Sequence, residues 1–430
     1  MITSRVHRSP VGHVIIAGLF FFVLIPAFAL IATHPAIADE VVHSDQIQRF
    51  ARGDMTLHPL ITQLPVYHLI VAIPSALTGF RSLAALRLFS FLLAACSVPA
   101  FFIVARRLDP AGAVVRTLQF GLLPLLFPLF FLIYTDVPSL VPVFLALYAV
   151  LRRQPSVAAV CVAVSILMRQ NNIVWAMFLW VFLLLSGGYF HGIRLFMERH
   201  AELSTLSLRW VSAQGALLRW IADTRAFLHL FVLFAVFLLF NGGVAVGDVS
   251  AHPFPSFHWG NVYFFLFLFF FLFLPLHVAN LPRLAQLLRG RWVPALSLIL
   301  LFALLFLITF VNDHPDNQAE YSFFLRNRLL LLFTSGMAWK ALFFLPVLAS
   351  VLSLLVTRLV LPASYLLYPV SFLFLTSSWL IEQRYYLVPL AFFLLFREHR
   401  SRTVEWTIIA CWAAGSAILF MGINQGRYFL

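Results

Sequence analysis

Long apolar stretches decide the class of this chain before any other feature. The first, "VIIAGLFFFVLIPAFALIA", is long enough to cross a hydrocarbon core that takes about 20 apolar residues of helix. Similar runs recur to the end of the chain. They give about thirteen candidate spans, near 14–33, 88–105, 117–134, 138–151, 156–168, 172–186, 226–240, 262–280, 293–311, 341–357, 361–377, 385–397 and 405–423. The first run is too long for a signal-peptide core and has no clear small-residue cleavage site after it, so an uncleaved first span is expected. With 62% hydrophobic and 10% charged residues, the chain departs from soluble domains, which carry about 25% charge. An all-α polytopic membrane protein is expected, a single polytopic domain over residues 1–430.

The formal charge of +13 does not call for nucleic acid, because cytoplasmic loops of membrane proteins are rich in arginine and lysine. Cys96, Cys161 and Cys411 lie far apart in apolar runs, without the spacing of a disulfide framework or a zinc site. Charge also sets topology. Residues 65–80, "PVYHLIVAIPSALTGF", are apolar but punctuated by proline. If they lie flat at the interface and the N-terminus is cytoplasmic, one set of loops carries Arg106, Arg107, Arg152, Arg153, the stretch 187–225, Arg283, Arg289, Arg291, Arg358 and "REHRSR". The opposite set then carries Asp39, Glu40, Asp45, Asp54, Asp136, Asp248, Asp313, Asp316, Glu320 and Glu382. The positive-inside rule favours this arrangement. It makes 34–87 the first lumenal or periplasmic loop, containing an interfacial helix, and 187–225 a basic amphipathic cytoplasmic segment.

Polar residues gather in four places on the outer face. The first is "DEVVHSDQ", in which Asp39, Glu40 and His43 share a helical face. A carboxylate there suits a general base oriented by its neighbours, and the same residues also suit a solvated cap. The second is "YTD", where Asp136 precedes Pro138 as an N-cap would. The third is "MRQNNIVW", in which Arg169, Gln170, Asn171 and Asn172 bring donors close to membrane depth, fitting either a polar ligand or a tight turn. The fourth joins "NGGVAVGDVSAH", "NDHPDNQAEYSFFLRNR" and "IEQRYY". Its glycines allow close backbone approach, and His252, His314, Arg326, Arg328 and Arg384 suit an anionic group such as phosphate. Asn241, Asp248 and Glu382 complete this set; Glu382 also suits a buried pair with Arg384.

Three function classes fit these features: a transferase using a lipid-phosphate donor, a transporter, and a non-catalytic membrane scaffold. Transporters place ionisable groups near the midplane, commonly in repeated halves. Here polarity lies near one face and no repeat is visible, which favours the transferase.

These same clusters resemble the family of dolichyl-phosphate-glucose-dependent alpha-1,2-glucosyltransferases. The matching pieces are "DEVVHSDQ", "ITQLPVYHL", "IYTDVPS", "RQNNIVWAMF", "NGGVAVGDVSAH", "DNQAEYSFF" and "EQRYYLVP". They run in family order from about residue 10 to 390. Where the family pattern has Arg-His after Asp-Asn, this chain has Gln318-Ala319-Glu320, and Gln63 and Val66 replace a threonine and a glycine. The resemblance implies a GT-C type membrane fold and inverting transfer from polyprenyl (dolichyl) phosphate glucose to a lipid-linked oligosaccharide. It implies no metal and no cofactor beyond that donor, in the endoplasmic reticulum of a eukaryote. In a bacterium the acceptor would be an envelope glycan or lipid and the site periplasmic at the plasma membrane. Asp39 is expected as the base, Glu40 as the alternative and His43 in support. Arg169, His314, Arg326 and Arg384 are expected at the donor phosphate, and Asp136, Asn171, Asn241, Asp248, His252 and Glu382 along the substrates.

Overall fold

A computed structural model describes residues 10–186, 206–247, 253 and 256–430. It is 76% helix, and no strand occurs among the described residues. Among the described residues five helices are long and apolar enough to cross a membrane: Val14–Ile31, Leu83–Leu108, Trp292–Thr309, Met337–Val356 and Arg402–Asn424. Two bent pairs raise the number to seven if each pair is one span. Shorter apolar helices lie between them, including Asp136–Leu151, Pro155–Met168, Gln170–Ser186, Pro362–Thr376 and Gln383–Phe396. The chain is an all-helical polytopic membrane protein. Trp292–Thr309 keeps nearly all of its side chains on the outside of the molecule, as a lipid-facing helix must.

Proline placement explains where the helices depart from the expected spans. The first helix widens into a π turn over Phe20–Leu24, just before Pro26, whose missing amide and bulky ring disturb the ladder behind it. The stretch 117–134 is not one helix. A helix ends at Gly121, the chain turns, and a 3-10 turn runs over Phe127–Phe130. Pro124 and Pro128 withhold the amides a continuous helix would need. This irregular segment is buried inside protein, the one setting in which such backbone is tolerated at membrane depth. The stretch 262–280 also breaks: Gly260–Leu272 and Leu274–Leu288 meet at 94°, with Pro275 early in the second helix.

The loop between the first two spans carries the helices Glu40–Ala51 and Val66–Thr78. Thirteen residues give Val66–Thr78 a length of about 20 Å, short of the roughly 30 Å hydrocarbon core. Of the basic segment 187–225, residues 187–205 lie outside the described residues. The helix Leu206–Asp223 follows, and its Trp220 stacks on Trp180 at 4.2 Å between ring centroids.

Phenylalanine, 48 residues in all, fills the core by stacking. Phe343 lies between Phe267 and Phe310, at 4.3 and 4.7 Å. A buried ion network occupies the end away from the acidic loop: Arg397 pairs with Glu405, which also accepts from Gln119, while Arg116 pairs with Asp109 and caps the carbonyls of Leu394 and Leu395.

Candidate active site

The two acids that are adjacent in sequence have opposite environments. Glu40 opens the Glu40–Ala51 helix with its side chain fully buried. Arg87, on the second span, grips it through Nε to Oε1 at 3.0 Å and Nη2 to Oε2 at 2.6 Å. The backbone amides of Ile37 and Ile133 also donate to it, each at 2.9 Å. Arg87 in turn donates to the carbonyls of Ile31, His34 and Pro35. Each Glu40 oxygen thus has two donors, and the pair fastens the end of the first span, the irregular segment before Tyr134 and the loop helix together.

Asp39 turns the other way. Its carboxylate sits in a recess, enclosed by protein yet with 46% of the side-chain surface open. Arg384 Nη1 donates to its Oδ2 at 2.8 Å, and its own amide donates to the Tyr134 hydroxyl at 3.2 Å. Enclosure alone pushes this carboxyl up, but Arg384, His43 and Arg326 outweigh it and hold it below the usual range. Ala38, just before it, is held at a φ of 50° in the left-handed region, a strain of about 1–2 kcal/mol for a residue with a Cβ.

From Asp39 the charges continue inward in alternation. Arg384 also meets Glu382 at 3.2 Å, and Glu382 meets Arg326 at 2.9 Å. Arg384 lies 5.0 Å over the ring of Tyr134 and Arg326 lies 4.2 Å over Phe324, the geometry of cation–π contacts. Beside this line Arg169 pairs with Asp136 and donates to Thr135 at 3.3 Å. Asp136, Arg169, Asn171 and Arg384 line one crevice with Tyr385. His43 completes the group on the Asp39 side. Burial, together with nearby Arg384 and Arg169, brings its pKa down to about 4 against the pull of Asp39.

The fold thus brings together Asp39, His43, Asp136, Arg169, Asn171, Arg326, Glu382 and Arg384, which are scattered over 346 positions of sequence. The other expected residues stand differently. Glu40 is enclosed by Arg87. His314 accepts from the amide of Asp316 and packs edge-on against Trp379. Asn241 donates to the carbonyls of Gly243 and Ala245, shaping its own turn. Asp248 and His252 lie outside the described residues. The glycine-rich stretch allows close approach to backbone: a Cβ on Gly247 would overlap the Ile61 carbonyl oxygen, so this loop packs directly on residues 59–62.

Several supporting residues went unnoticed in the sequence. Arg87 is one; its signal was an arginine inside "LAALRLFSFLLAA". Gln170, by contrast, is one of the run of donors after Met168, and it bridges the Leu64 amide and the carbonyls of Thr62 and Val244. Asn261, Asn317 and Asn327 form a scaffold beneath the 381–386 turn. Asn261 accepts from the Glu382 amide, Asn317 pairs with the Ile381 backbone, and Asn327 meets Asn317 at 3.0 Å. Single asparagines near span edges carry no distinguishing pattern.

Chemically, the arrangement offers one accessible carboxylate, two arginines lining a crevice and a third, Arg326, behind Glu382. Such a site accommodates a hydroxyl that must lose a proton and an anion whose charge must be spread. Among the described residues no three His, Cys, Asp or Glu side chains converge as a metal ion would require.

A model of the DIE2/ALG10 family matches residues 33–395. The chain is similar to the Dol-P-Glc:Glc(2)Man(9)GlcNAc(2)-PP-Dol alpha-1,2-glucosyltransferase of Drosophila melanogaster, 29% identical over 421 residues that cover 92% of this chain and 90% of that protein. The proteins of the same name from Mus musculus and Arabidopsis thaliana are both 24% identical. The first match covers 71% of this chain and 72% of that protein, the second 96% and 95%. No solved structure matches the chain.

Proposed function

Because the chain belongs to the DIE2/ALG10 family, we propose that it transfers glucose from dolichyl phosphate glucose to a lipid-linked oligosaccharide, forming an alpha-1,2 linkage with inversion. The relatives named for this reaction support it across most of the chain's length. The site belongs on the lumenal face of the endoplasmic reticulum membrane, in a GT-C type fold of about thirteen spans.

The observation that carries the mechanism is the contrast between Asp39, open and bound on one oxygen, and Glu40, sealed on both. An acceptor hydroxyl attacks the anomeric carbon opposite the phosphate. Asp39 takes the hydroxyl proton as the new carbon–oxygen bond forms and the bond to phosphate breaks. The departing phosphate carries away the bonding electrons, and Arg384, with Arg169 and Arg326 behind it, spreads the developing charge. Phosphate is a good leaving group, so this cationic stabilisation suffices without a metal or a general acid. Asp136 and Glu382 hold the arginines apart and aimed, and Asn171 lines the crevice for substrate. Glu40 maintains the loop that carries Asp39.

The test uses purified protein in nanodiscs, a short-chain dolichyl phosphate glucose and a lipid-linked oligosaccharide ending in two glucoses. Wild type is expected to form the three-glucose product. Asp39→Asn is expected to lose about 10²–10⁴-fold in kcat while still binding the donor. Undiminished transfer by Asp39→Asn would remove Asp39 from the reaction, and transfer from the donor to a different class of acceptor would overturn the substrate assignment.

A further inference from the structure

His68 stands next to the site and has no part in the mechanism so far. Its Nε2 lies 2.9 Å from His43 Nδ1, with both rings buried, so one nitrogen donates and the other accepts. The direction follows from the far side of His68. Its Nδ1 is shut off from solvent and has no partner among the described residues. If His43 donated, the single proton of neutral His68 would sit on that isolated nitrogen as a buried, unmade N–H. If His68 donates, the isolated nitrogen is only an unused acceptor, the more tolerable of the two. His68 Nε2–H therefore donates to His43 Nδ1.

That hydrogen bond fixes His43 as well. Flanked by Arg384 and Arg169 and by the rings of Tyr67 and Tyr134, with Asp39 the opposing charge among the described residues, buried His43 is neutral near pH 7 and carries one proton. With Nδ1 accepting, the proton resides on Nε2. Among the described residues no protein group takes Nε2, and this nitrogen is not sealed from solvent as His68 Nδ1 is. His43 also lies one helical turn after Asp39, its amide donating to the Asp39 carbonyl at 3.0 Å, so both side chains rise from the same face.

We propose that His68 is a positioning residue: its bond to His43 Nδ1 locks His43 with Nε2–H toward the Asp39 recess, where it donates to a hydroxyl of the acceptor sugar beside the one that attacks. His43 gains and loses no proton in this step; the proton of the attacking hydroxyl goes to Asp39. The inference rests on the reading of Asp39 as the base. A lock on the tautomer through the other ring nitrogen is the usual way to orient a working histidine.

The test measures acceptor and donor KM separately in nanodiscs for wild type, His68→Leu, His68→Gln and His43→Gln. His68→Leu removes the donor and is expected to raise the acceptor KM about tenfold, the scale of one hydrogen bond, with donor KM unchanged. His68→Gln places an amide N–H where the imidazole Nε2–H was, and is expected to restore most of the loss. In a His43→Gln background, His68→Leu is expected to add nothing further. A wild-type acceptor KM in His68→Leu would overturn the proposal. So would equal damage from Leu and Gln, which marks a packing role alone. Asp39→Asn, measured alongside, separates the two readings: if it keeps full transfer the base assignment fails, whatever the histidine variants show.

Discussion

The Glu40 carboxylate and the Arg87 guanidinium face each other through two hydrogen bonds, of 3.0 and 2.6 Å, with no solvent reaching either side chain. A buried pair of this kind adds little net stability over an apolar pair, but removing one partner leaves an uncompensated charge, at about 3–5 kcal/mol. Arg87→Met is therefore expected to lower thermal stability by that amount in detergent. Arg87→Met combined with Glu40→Leu is expected to recover part of it, the amides of Ile37 and Ile133 still lacking their acceptor. A single variant as stable as wild type would show that the pair is not closed to water.

Arg384 sets the acidity of the candidate base. Burial pushes the Asp39 carboxyl up while Arg384 leads the effects that bring it below its ordinary value. With Asp39 as the proposed base, activity needs the carboxylate, so it is expected to persist above the folded pKa and to decline as pH falls through it. In Arg384→Gln the carboxyl rises, and the acidic limb of the kcat profile is expected to move to higher pH. The ratio of activity at pH 5.5 to that at pH 7.5 is the direct measure. An unmoved limb in a variant that still turns over would separate Arg384 from Asp39.

His43 gives stability a pH dependence of its own. Its pKa is about 4 when folded, against 6.5 for the ordinary ring. Between these values the unfolded chain binds a proton that the folded chain does not, so stability rises with pH there. The contribution is fully present above about pH 6.5 and is lost as pH falls toward 4, at about 1.4 kcal/mol per pH unit. His43→Gln is expected to lessen the slope of melting temperature across that window, buried His68, also held below its ordinary value, contributing to the rest. A slope equal to wild type would mean that another group is responsible.

Gln170 ties three segments with one side chain, through the Leu64 amide and the carbonyls of Thr62 and Val244. Gln170→Leu leaves these groups without their partner, at about 1–3 kcal/mol for each one that water cannot reach. Limited proteolysis within residues 241–247 is expected to accelerate while the arginines of the site keep their contacts. Unchanged cleavage would show that the Val246 amide, which donates to the Thr62 carbonyl at 3.2 Å, and the close packing of Gly247 hold the loop to residues 59–62 without help.

The membrane class and most of the helices were legible because long apolar runs leave no other fold. The helix breaks at 121–127 and at Phe273 were not, since proline is common in spans and only packing decides whether the chain bends or breaks around it. The candidate site was legible as a set of residue types: Asp39, Asp136, Arg169, Arg326, Glu382 and Arg384 were all singled out and the fold assembles them. Their pairing was not legible. Asp39 and Glu40 are neighbours in sequence, and only the position of Arg87, 47 residues on, turns one inward. His68 went unseen for a like reason, as one polar ring in an apolar helix has no pattern until the facing helix supplies His43.

The hydrogen bond from Arg384 to Asp39 links positions 345 apart. In a chain made from its N-terminal side, Asp39 emerges 345 residues before its counter-charge. Glu40 meets Arg87 early, so the loop has its shape long before it has its function. A nascent or prematurely terminated chain lacking the last turns can thus carry a folded first loop and yet hold no working site. A site that needs both ends of that contact is therefore complete only once the Arg384 segment has packed against the loop.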